Sequence, residues 1–142
     1  MERDDQKRLQ KIFEQGFPVD EPLNLVGQTA MMLFAQSLNL EGIQFLVEQG
    51  ADLNKQDALG RSMMHYLVQV DKSGEATEWM VESYDDKLDL DIKTGAGVTA
   101  LMLSVKRNYA KTVQALLNGR ANPFTTDQLG QEALDYAIAL NN

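Results

Sequence analysis

One histidine, His65, is the first residue to consider for catalysis or metal binding, because an imidazole can carry a proton or bind a transition metal near neutral pH. The chain has no cysteine that could complete a metal site or act as a thiol nucleophile. Nothing in the sequence pairs the many carboxylates around His65 as an acid and a base. Ser62 and Ser104 have no other histidine as a base. We therefore predict no catalytic residue and no metal ligand.

A nucleotide or phosphate cofactor would require a glycine-rich loop ahead of a helix. The stretch that comes nearest is Gly95-Ala96-Gly97, just before Thr99. It lacks the length and the lysine of a phosphate-binding loop. We predict no cofactor and no small-molecule substrate.

Nucleic acid recognition would require concentrated positive charge, because contacts to phosphates supply most of the affinity. The chain has 13 Lys and Arg against 21 Asp and Glu, a net charge of -8. The largest local basic run has only Tyr109 interleaved as an aromatic residue. This run consists of Lys106, Arg107 and Lys111, with Lys93 and Arg120 flanking it. A solvated face explains it best, recognition of acidic side chains comes next, and we predict no nucleic acid partner.

Composition places the chain among ordinary soluble domains, since 44% of its 142 residues are hydrophobic. No apolar run is long enough for a signal peptide core or a membrane span. The lack of cysteine is compatible with a reducing compartment. We expect a single intracellular domain in the cytoplasm, with the nucleus left open, and no membrane partner.

The elements that would position a site follow from an internal repeat. Gly27, Gly60, Gly97 and Gly130 each precede, by two residues, a polar residue that can start a helix, and they are 33, 37 and 33 residues apart. A second landmark recurs in the other half of each unit. Its copies are the segments 12–20, 46–54 and 116–123, in which an apolar helix end is followed by a Gly-Ala-Asp-Leu-Asn type of exit.

With this period and this exit, the chain resembles the ankyrin-repeat family from about residue 9 to residue 140. No copy keeps the family's Thr-Pro-Leu-His complete, although His65 retains the histidine, whose ring typically braces the turn before the first helix. The resemblance implies an all-α solenoid of helix-turn-helix units linked by hairpin-like loops. We expect one domain over 1–142, made of a partial repeat 1–26, repeats 27–59, 60–96 and 97–129, and a partial repeat 130–142.

Local physical chemistry supports these units independently. Thr29, Ser62 and Thr99 can each cap a helix through a side-chain oxygen. Gly50 stands where a helix ends in the left-handed conformation that glycine adopts most easily. The predicted helices are a lone helix over 4–15, helix pairs within 29–49, 62–82 and 99–118, and a last helix over 132–140.

Three features depart from the family pattern. The 60–96 repeat has four extra residues and an acidic stretch over 75–91, for which a solvated surface and a dock for a basic partner are both open. Arg120 occupies the position of Gly50, so either Gly119 ends the helix one residue earlier or Arg120 is kept for a contact. The first and last units are incomplete, and the apolar stretch 136–140 leaves open whether a partner covers the last helix.

In ankyrin-like folds, partners generally dock on the concave face formed by the hairpin tips and the first helices, here called the groove face. Leu25, Leu59, Tyr66 and Leu129 attract attention because an exposed position there has no folding reason to be apolar. Carried over by position, the predicted partner-binding residues are Leu25, Val26, Gln28, Leu59, Arg61, Tyr66, Gln69, Val98, Lys106, Arg107, Gln128 and Leu129.

The sequence therefore predicts a non-catalytic protein-interaction module: an adaptor, inhibitor or assembly subunit that is a monomer on its own and binds another protein. The alternative is a structural subunit buried on several sides in a large complex. Met32, Met63, Met64 and Met102 would favour the alternative if they were exposed, although packing in the core explains them better.

Overall fold

The computed structural model describes residues 3–141, and it describes side-chain surroundings from Lys7 onward. This part of the chain forms helices joined by turns and contains no strand. The helices are α1 (Arg3–Glu14), α2 (Ala30–Gln36), α3 (Leu40–Glu48), α4 (Met63–Val68), α5 (Glu75–Ser83), α6 (Ala100–Lys106), α7 (Ala110–Asn118) and α8 (Ala133–Leu140). The predicted all-α solenoid is confirmed.

The helices form two layers. The first helices of successive units, α2, α4, α6 and α8, stack in that order, and α5 packs against α7 in the second layer. The lone helix α1 belongs to the second layer, where the Phe13 ring lies 6.3 Å from the Phe45 ring of α3. Each unit therefore buries its apolar residues against the next unit, as expected of a solenoid.

Methionines supply much of the packing between units. Met32, Met63, Met64 and Met102 are all essentially inaccessible to solvent. The unbranched thioether side chain adapts to irregular spaces between helices, which suits repeats of unequal sequence. The interpretation of these residues as core is confirmed, and they give no support to a structural subunit.

The first helix of each complete or partial unit begins with the same bond. The side chain three residues after the N-cap accepts a hydrogen bond from the N-cap N–H, so that one otherwise unpaired donor is satisfied. The acceptors are Met32 Sδ at 3.5 Å, His65 Nδ1 at 3.0 Å, Met102 Sδ at 3.4 Å and Asp135 Oδ2 at 2.8 Å. Thr29 and Thr99 also cap their helices with their hydroxyl oxygens, as predicted.

Ser62 differs from the two threonines because its hydroxyl lies 2.9 Å from His65 Nδ1. The backbone N–H of Ser62 donates to the same nitrogen, so Nδ1 carries no proton and Nε2 carries it instead. His65 Nε2 then donates to the carbonyl oxygen of Val98 at 2.8 Å. The histidine braces its own turn, as the resemblance implied, and also ties it to the next unit.

The hairpin tips are linked by a ladder of backbone hydrogen bonds. Each tip donates one N–H to the carbonyl of the preceding tip, which fixes the tips relative to each other. The pairs are Ala58 to Val26 at 2.7 Å, Gly95 to Leu59 at 2.9 Å and Gln128 to Ala96 at 2.9 Å.

The four extra residues of the 60–96 repeat are divided between two places. Helix α5 begins two residues later, relative to its tip glycine, than α3 and α7 do, and the remaining two residues follow α5. The lengthened loop between α4 and α5 contains Asp71. The buried Asp71 carboxylate accepts from the Thr77 N–H at 2.7 Å and from the Thr77 hydroxyl at 2.6 Å. Asp71 thereby replaces the N-cap side chain that Gly74 lacks.

The end of α7 decides between the alternatives for Arg120. Helix α7 ends at Asn118, Gly119 has a φ of -83°, and Arg120 has a φ of 70°. Gly50 has a φ of 91° at the corresponding exit from α3. The alternative in which Gly119 ends the helix one residue early is wrong, and Arg120 itself adopts the left-handed conformation.

Candidate functional site

Apolar side chains project from three of the four hairpin tips. Leu25 is 102% exposed, Leu59 58% and Leu129 82%. The position of Leu59 and Leu129 is taken by Val26 in the first tip and by the smaller Ala96 in the third, and both are exposed. These side chains project into solvent, while the tip backbones are held in the hydrogen-bonded ladder. The sequence predicted the exposure of Leu25, Leu59 and Leu129.

A short polar side chain closes each tip from within. Asp57 Oδ1 accepts from the Leu59 N–H at 2.9 Å and the Arg61 N–H at 2.8 Å. Asp127 makes the same two bonds with the Leu129 and Gln131 N–H groups at 2.9 Å. Asn24 and Thr94 take this place in the other two tips. Such side-chain turns present the tip in one conformation.

Tyr66 is not an exposed anchor, so the expectation for this residue is wrong. The side chain is only 8% exposed, and its hydroxyl donates to Asp57 Oδ2 at 2.5 Å. Arg61 covers the ring at 5.0 Å and donates to the same Oδ2 at 2.8 Å. Tyr66 faces the back of its own tip, and therefore it supports the tip instead of lining the surface.

Burial and the bond to Asp57 both raise the pKa of Tyr66. Burial alone would raise the pKa of Asp57, but the hydrogen bonds from Tyr66, Arg61 and Leu59 outweigh it and lower this pKa. Asp57 is therefore ionised at neutral pH, and its charge is compensated by Arg61. These groups form a structural support for the tip.

The same support recurs in the last unit, nine residues apart in both cases. Tyr136 donates to Asp127 Oδ2 at 2.6 Å, which lowers the pKa of Asp127. Burial and this bond raise the pKa of Tyr136 to about 12. The recurrence of Asp and Tyr at this spacing was visible in the sequence, and it could have identified Tyr66 as a support.

The exposed ends of the first helices contribute polar and basic groups. Gln69 Nε2 donates to the His65 carbonyl at 3.1 Å, and Gln69 Oε1 accepts from the Arg107 guanidinium at 3.3 Å. Lys106 and Arg107 are exposed. Gln69 therefore orients the Arg107 guanidinium across two neighbouring units.

The remaining predicted residues lie at the tips with part of their surface used internally. Val26 is exposed, whereas Gln28, Arg61 and Val98 are half-buried. Gln28 accepts from Asn24 at 2.8 Å, and Gln128 donates to the Gly95 carbonyl at 2.8 Å. Apart from Tyr66, the structure brings the predicted residues to the hairpin tips and the exposed ends of the first helices.

His65 has no nitrogen available for chemistry. Both ring nitrogens are occupied by bonds to Ser62 and Val98, and burial lowers the pKa of the imidazole. Within residues 3–141, no three His, Asp or Glu side chains are grouped as ligands for a metal ion. No helix in this range is long and apolar enough to span a bilayer.

Comparison with known proteins agrees with this geometry. The ankyrin repeat family model matches residues 26–58 and 96–128, which begin at two of the tips. The chain is 30% identical over 128 residues, or 90% of its length, to neurogenic locus notch homolog protein 1 of Xenopus laevis and to neurogenic locus notch homolog protein 2 of Homo sapiens. It is 33% identical over 116 residues, or 82% of its length, to neurogenic locus notch homolog protein 1 of Danio rerio.

The chain belongs to the ankyrin-repeat family. Ankyrin repeats are modules that generally mediate protein–protein interaction. The chain spans only 5% of the length of the notch homologues it matches, so the likeness concerns the repeat module. The two stretches that the family model matches each have the 33-residue length of the period found in the sequence.

Proposed function

We propose that this ankyrin-repeat protein is a non-catalytic binding module that holds a protein partner on the groove face. The observation that carries the proposal is the exposure of Leu25, Leu59 and Leu129 on tips whose backbones are fixed in a hydrogen-bonded ladder. Rigid apolar groups surrounded by polar ones lose little entropy on binding and gain from burial.

The first test removes two of these apolar contacts. The variant Leu59→Asp with Leu129→Asp should bind the partner at least about thirtyfold more weakly, because truncated anchors commonly cost about 2 kcal/mol or more. Its stability should change by less than about 1 kcal/mol, since both side chains project into solvent. Tyr66 is left intact because its loss would disturb Asp57 and the tip.

The matched control reverses charge in the second layer. Glu78→Lys with Asp85→Lys changes two exposed acidic residues of the stretch 75–91. Partners retained by the wild-type chain at native expression level would be quantified by mass spectrometry and then confirmed with purified components. Loss with the tip variant alone supports the groove face. Loss with the acidic variant alone would refute it and favour a basic partner on the second layer.

The alternative function, a structural subunit buried on several sides, is favoured by one observation on α8. Leu134 is 65% exposed, whereas Leu101, its counterpart in α6, is 2% exposed, and Ile138 and Leu140 are exposed as well. A subunit of this kind would keep its place in the complex after both double substitutions, because its contacts are distributed over several faces.

Two further features belong to this proposal. The protein acts without catalysis. Incubation of a purified partner with and without the chain would test this, and we expect the partner to be bound but chemically unchanged. It acts in the cytoplasm or the nucleus, which fractionation of cells with an antibody to the chain would test.

A further inference from the structure

The charges of the chain are segregated between its two helical layers. The tips and first helices of the two central units, together with the turns that lead to their second helices, span residues 56–74 and 93–111 and contain six basic residues and two carboxylates. The basic residues are Arg61, Lys72, Lys93, Lys106, Arg107 and, at the start of α7, Lys111. In a protein with a net charge of -8, this half of two repeats is positive.

The two carboxylates of this half do not reach the surface. Asp57 is buried beneath Tyr66 and paired with Arg61, and Asp71 is buried with Thr77 bonded to its carboxylate. Neither can turn outward without breaking these bonds. Residues 93–111 carry four cations and no carboxylate at all.

The stretch of the second layer that begins with α5 has the opposite sign. Residues 75–92 contain seven carboxylates, with Lys87 as the one counter-charge in that range. Glu75, Glu78 and Glu82 lie on α5, Asp85 and Asp86 lie in the turn after it, and Asp89 and Asp91 follow in the exit, where Asp91 accepts from the Asn122 N–H. Within the two central units, attraction of an anion would therefore come from the groove face.

Two cationic groups on the groove face are held in position. Arg61 lies over the Tyr66 ring and donates its Nε–H to Asp57. The Arg107 guanidinium is oriented by Gln69. Arg61 precedes the N-cap of α4 and Gln69 is its C-cap, so the two groups lie at opposite ends of this helix. Guanidinium groups bind carboxylates with defined geometry.

We propose that the segment bound on the groove face is acidic: an extended protein segment whose Asp and Glu side chains pair with Arg107, Lys106 and Lys93, and whose apolar side chains contact Leu59. This inference rests on the proposed function and names the chemistry of its partner. The apolar tips and the small number of cations fit a peptide better than a nucleic acid, whose phosphates would also meet the repulsion of the acidic second layer.

The test uses a phage library of random peptides of about sixteen residues, selected on the full chain, since a segment of that length spans the face when extended. We expect the selected peptides to be enriched in Asp and Glu and to retain apolar residues. One selected peptide would then be synthesised with a fluorophore and titrated by anisotropy. Its affinity should fall about tenfold between about 0.05 M and 0.5 M salt, because exposed ion pairs are screened.

The decisive variant is Lys106→Glu with Arg107→Glu, which should weaken the peptide at least tenfold. The matched control, Lys55→Glu with Lys87→Glu, makes the same change in net charge at exposed lysines away from the groove face and should change affinity by less than about twofold. The neutral pair Lys106→Ala with Arg107→Ala should have an intermediate effect. Urea unfolding of each variant separates loss of binding from loss of fold.

Each contrary outcome has a distinct meaning. The selected peptides could lack acidic enrichment and still lose binding to the variant Leu59→Asp with Leu129→Asp. That result would overturn the acidic partner but would still support binding on the groove face. If every variant binds the peptides equally, or if no peptide is selected, the result would contradict both the acidic partner and the groove face as the binding surface. A single-stranded DNA oligonucleotide of about twenty nucleotides that binds more tightly than the peptide, and is lost with Lys106→Glu and Arg107→Glu, would make the face a nucleic acid site instead.

Discussion

The third unit (residues 60–96) and the last unit (residues 130–142) each supply a tyrosine that supports the preceding hairpin tip. Tyr66 donates to Asp57 in one, and Tyr136 donates to Asp127 in the other, at 2.5 and 2.6 Å. The surroundings differ, because α4 lies between two other first helices, α2 and α6, whereas α8 has a first helix, α6, on one side only within residues 3–141. As a result Tyr66 is buried and Tyr136 is only half-buried.

The comparison shows which properties belong to a repeat and which come from its neighbours. Sequence within one unit determines the hydrogen bonds, since both tips form the same ones. The neighbouring units determine how much water is excluded, and hence how much each bond contributes to stability. The same substitution should therefore have a large effect in the third unit and a small effect in the last.

The largest difference is expected for truncation of the two tyrosines. Tyr66→Ala should lower the free energy of unfolding by about 3–4 kcal/mol, because it removes a buried ring and leaves Asp57 with one side-chain donor fewer. Tyr136→Ala should lower it by about 1 kcal/mol, since water can replace both contacts. Urea unfolding followed by circular dichroism measures both values.

The hydroxyl alone can be tested with phenylalanine. Tyr66→Phe should cost about 1–3 kcal/mol and Tyr136→Phe about 0.5 kcal/mol, because only the buried carboxylate lacks a replacement donor from water. Equal losses in the two units would show that neighbours do not govern the strength of these bonds.

A pH effect from a buried histidine is expected in the third unit and has no counterpart at the same position of the last. Burial lowers the pKa of His65 below its ordinary value of 6.5, whereas the same position in the last unit is Asp135. As the pH falls below about 6.5, the unfolded chain binds a proton that the folded chain excludes. The contribution of His65 to stability is therefore fully present above that pH and decreases below it. The decrease ends once the histidine of the folded chain is also protonated.

The matched variant is His65→Met, because Met32 and Met102 already accept the N-cap N–H at this position in the neighbouring units. It should lose about 1 kcal/mol at pH 7.5, from the bond to Val98, and remove the change in stability between pH 7 and pH 5.5. An unchanged pH profile would mean that another group is responsible.

Most of the fold was predictable, because the repeat specifies its own helix starts and ends. The glycine period, the caps at Thr29 and Thr99 and the exit at Gly50 predicted all eight helices to within a few residues. The burial of Tyr66 did not follow from its position on a first helix, since the direction of its side chain depends on the bond to Asp57, and the one signal for it was the recurrence of Asp and Tyr nine residues apart. The division of the four extra residues was also hidden, because it depends on Asp71 bonding to Thr77 and on the Thr112 hydroxyl donating to the Asp71 carbonyl.

Gly119 and Arg120, two consecutive residues at the end of α7, show the same contrast. Gly119 packs against the neighbouring unit, whereas Arg120 lies in solvent. A Cβ on Gly119 would come within 2.5 Å of Val81 Cγ1 in the preceding unit. The φ of Gly119 suits any residue, so Gly119→Ala should destabilise the protein by about 1–2 kcal/mol through crowding alone. The double variant Gly119→Ala with Val81→Ala should recover part of this loss, and no recovery would exclude the crowding.

The smallest effect is expected for Arg120, which follows at once and lies exposed with a φ of 70°. Arg120→Gly should raise the free energy of unfolding by about 0.5–1 kcal/mol, because glycine adopts the left-handed conformation without strain. The gain is partly offset because glycine makes the unfolded chain more flexible. Arg120→Ala is the control, since alanine removes the guanidinium but keeps the Cβ that causes the strain, and it should leave stability nearly unchanged. A loss with alanine would show that the guanidinium makes a contact within the folded chain. If alanine and glycine are both neutral in stability but weaken partner binding, then Arg120 stands in place of glycine for recognition.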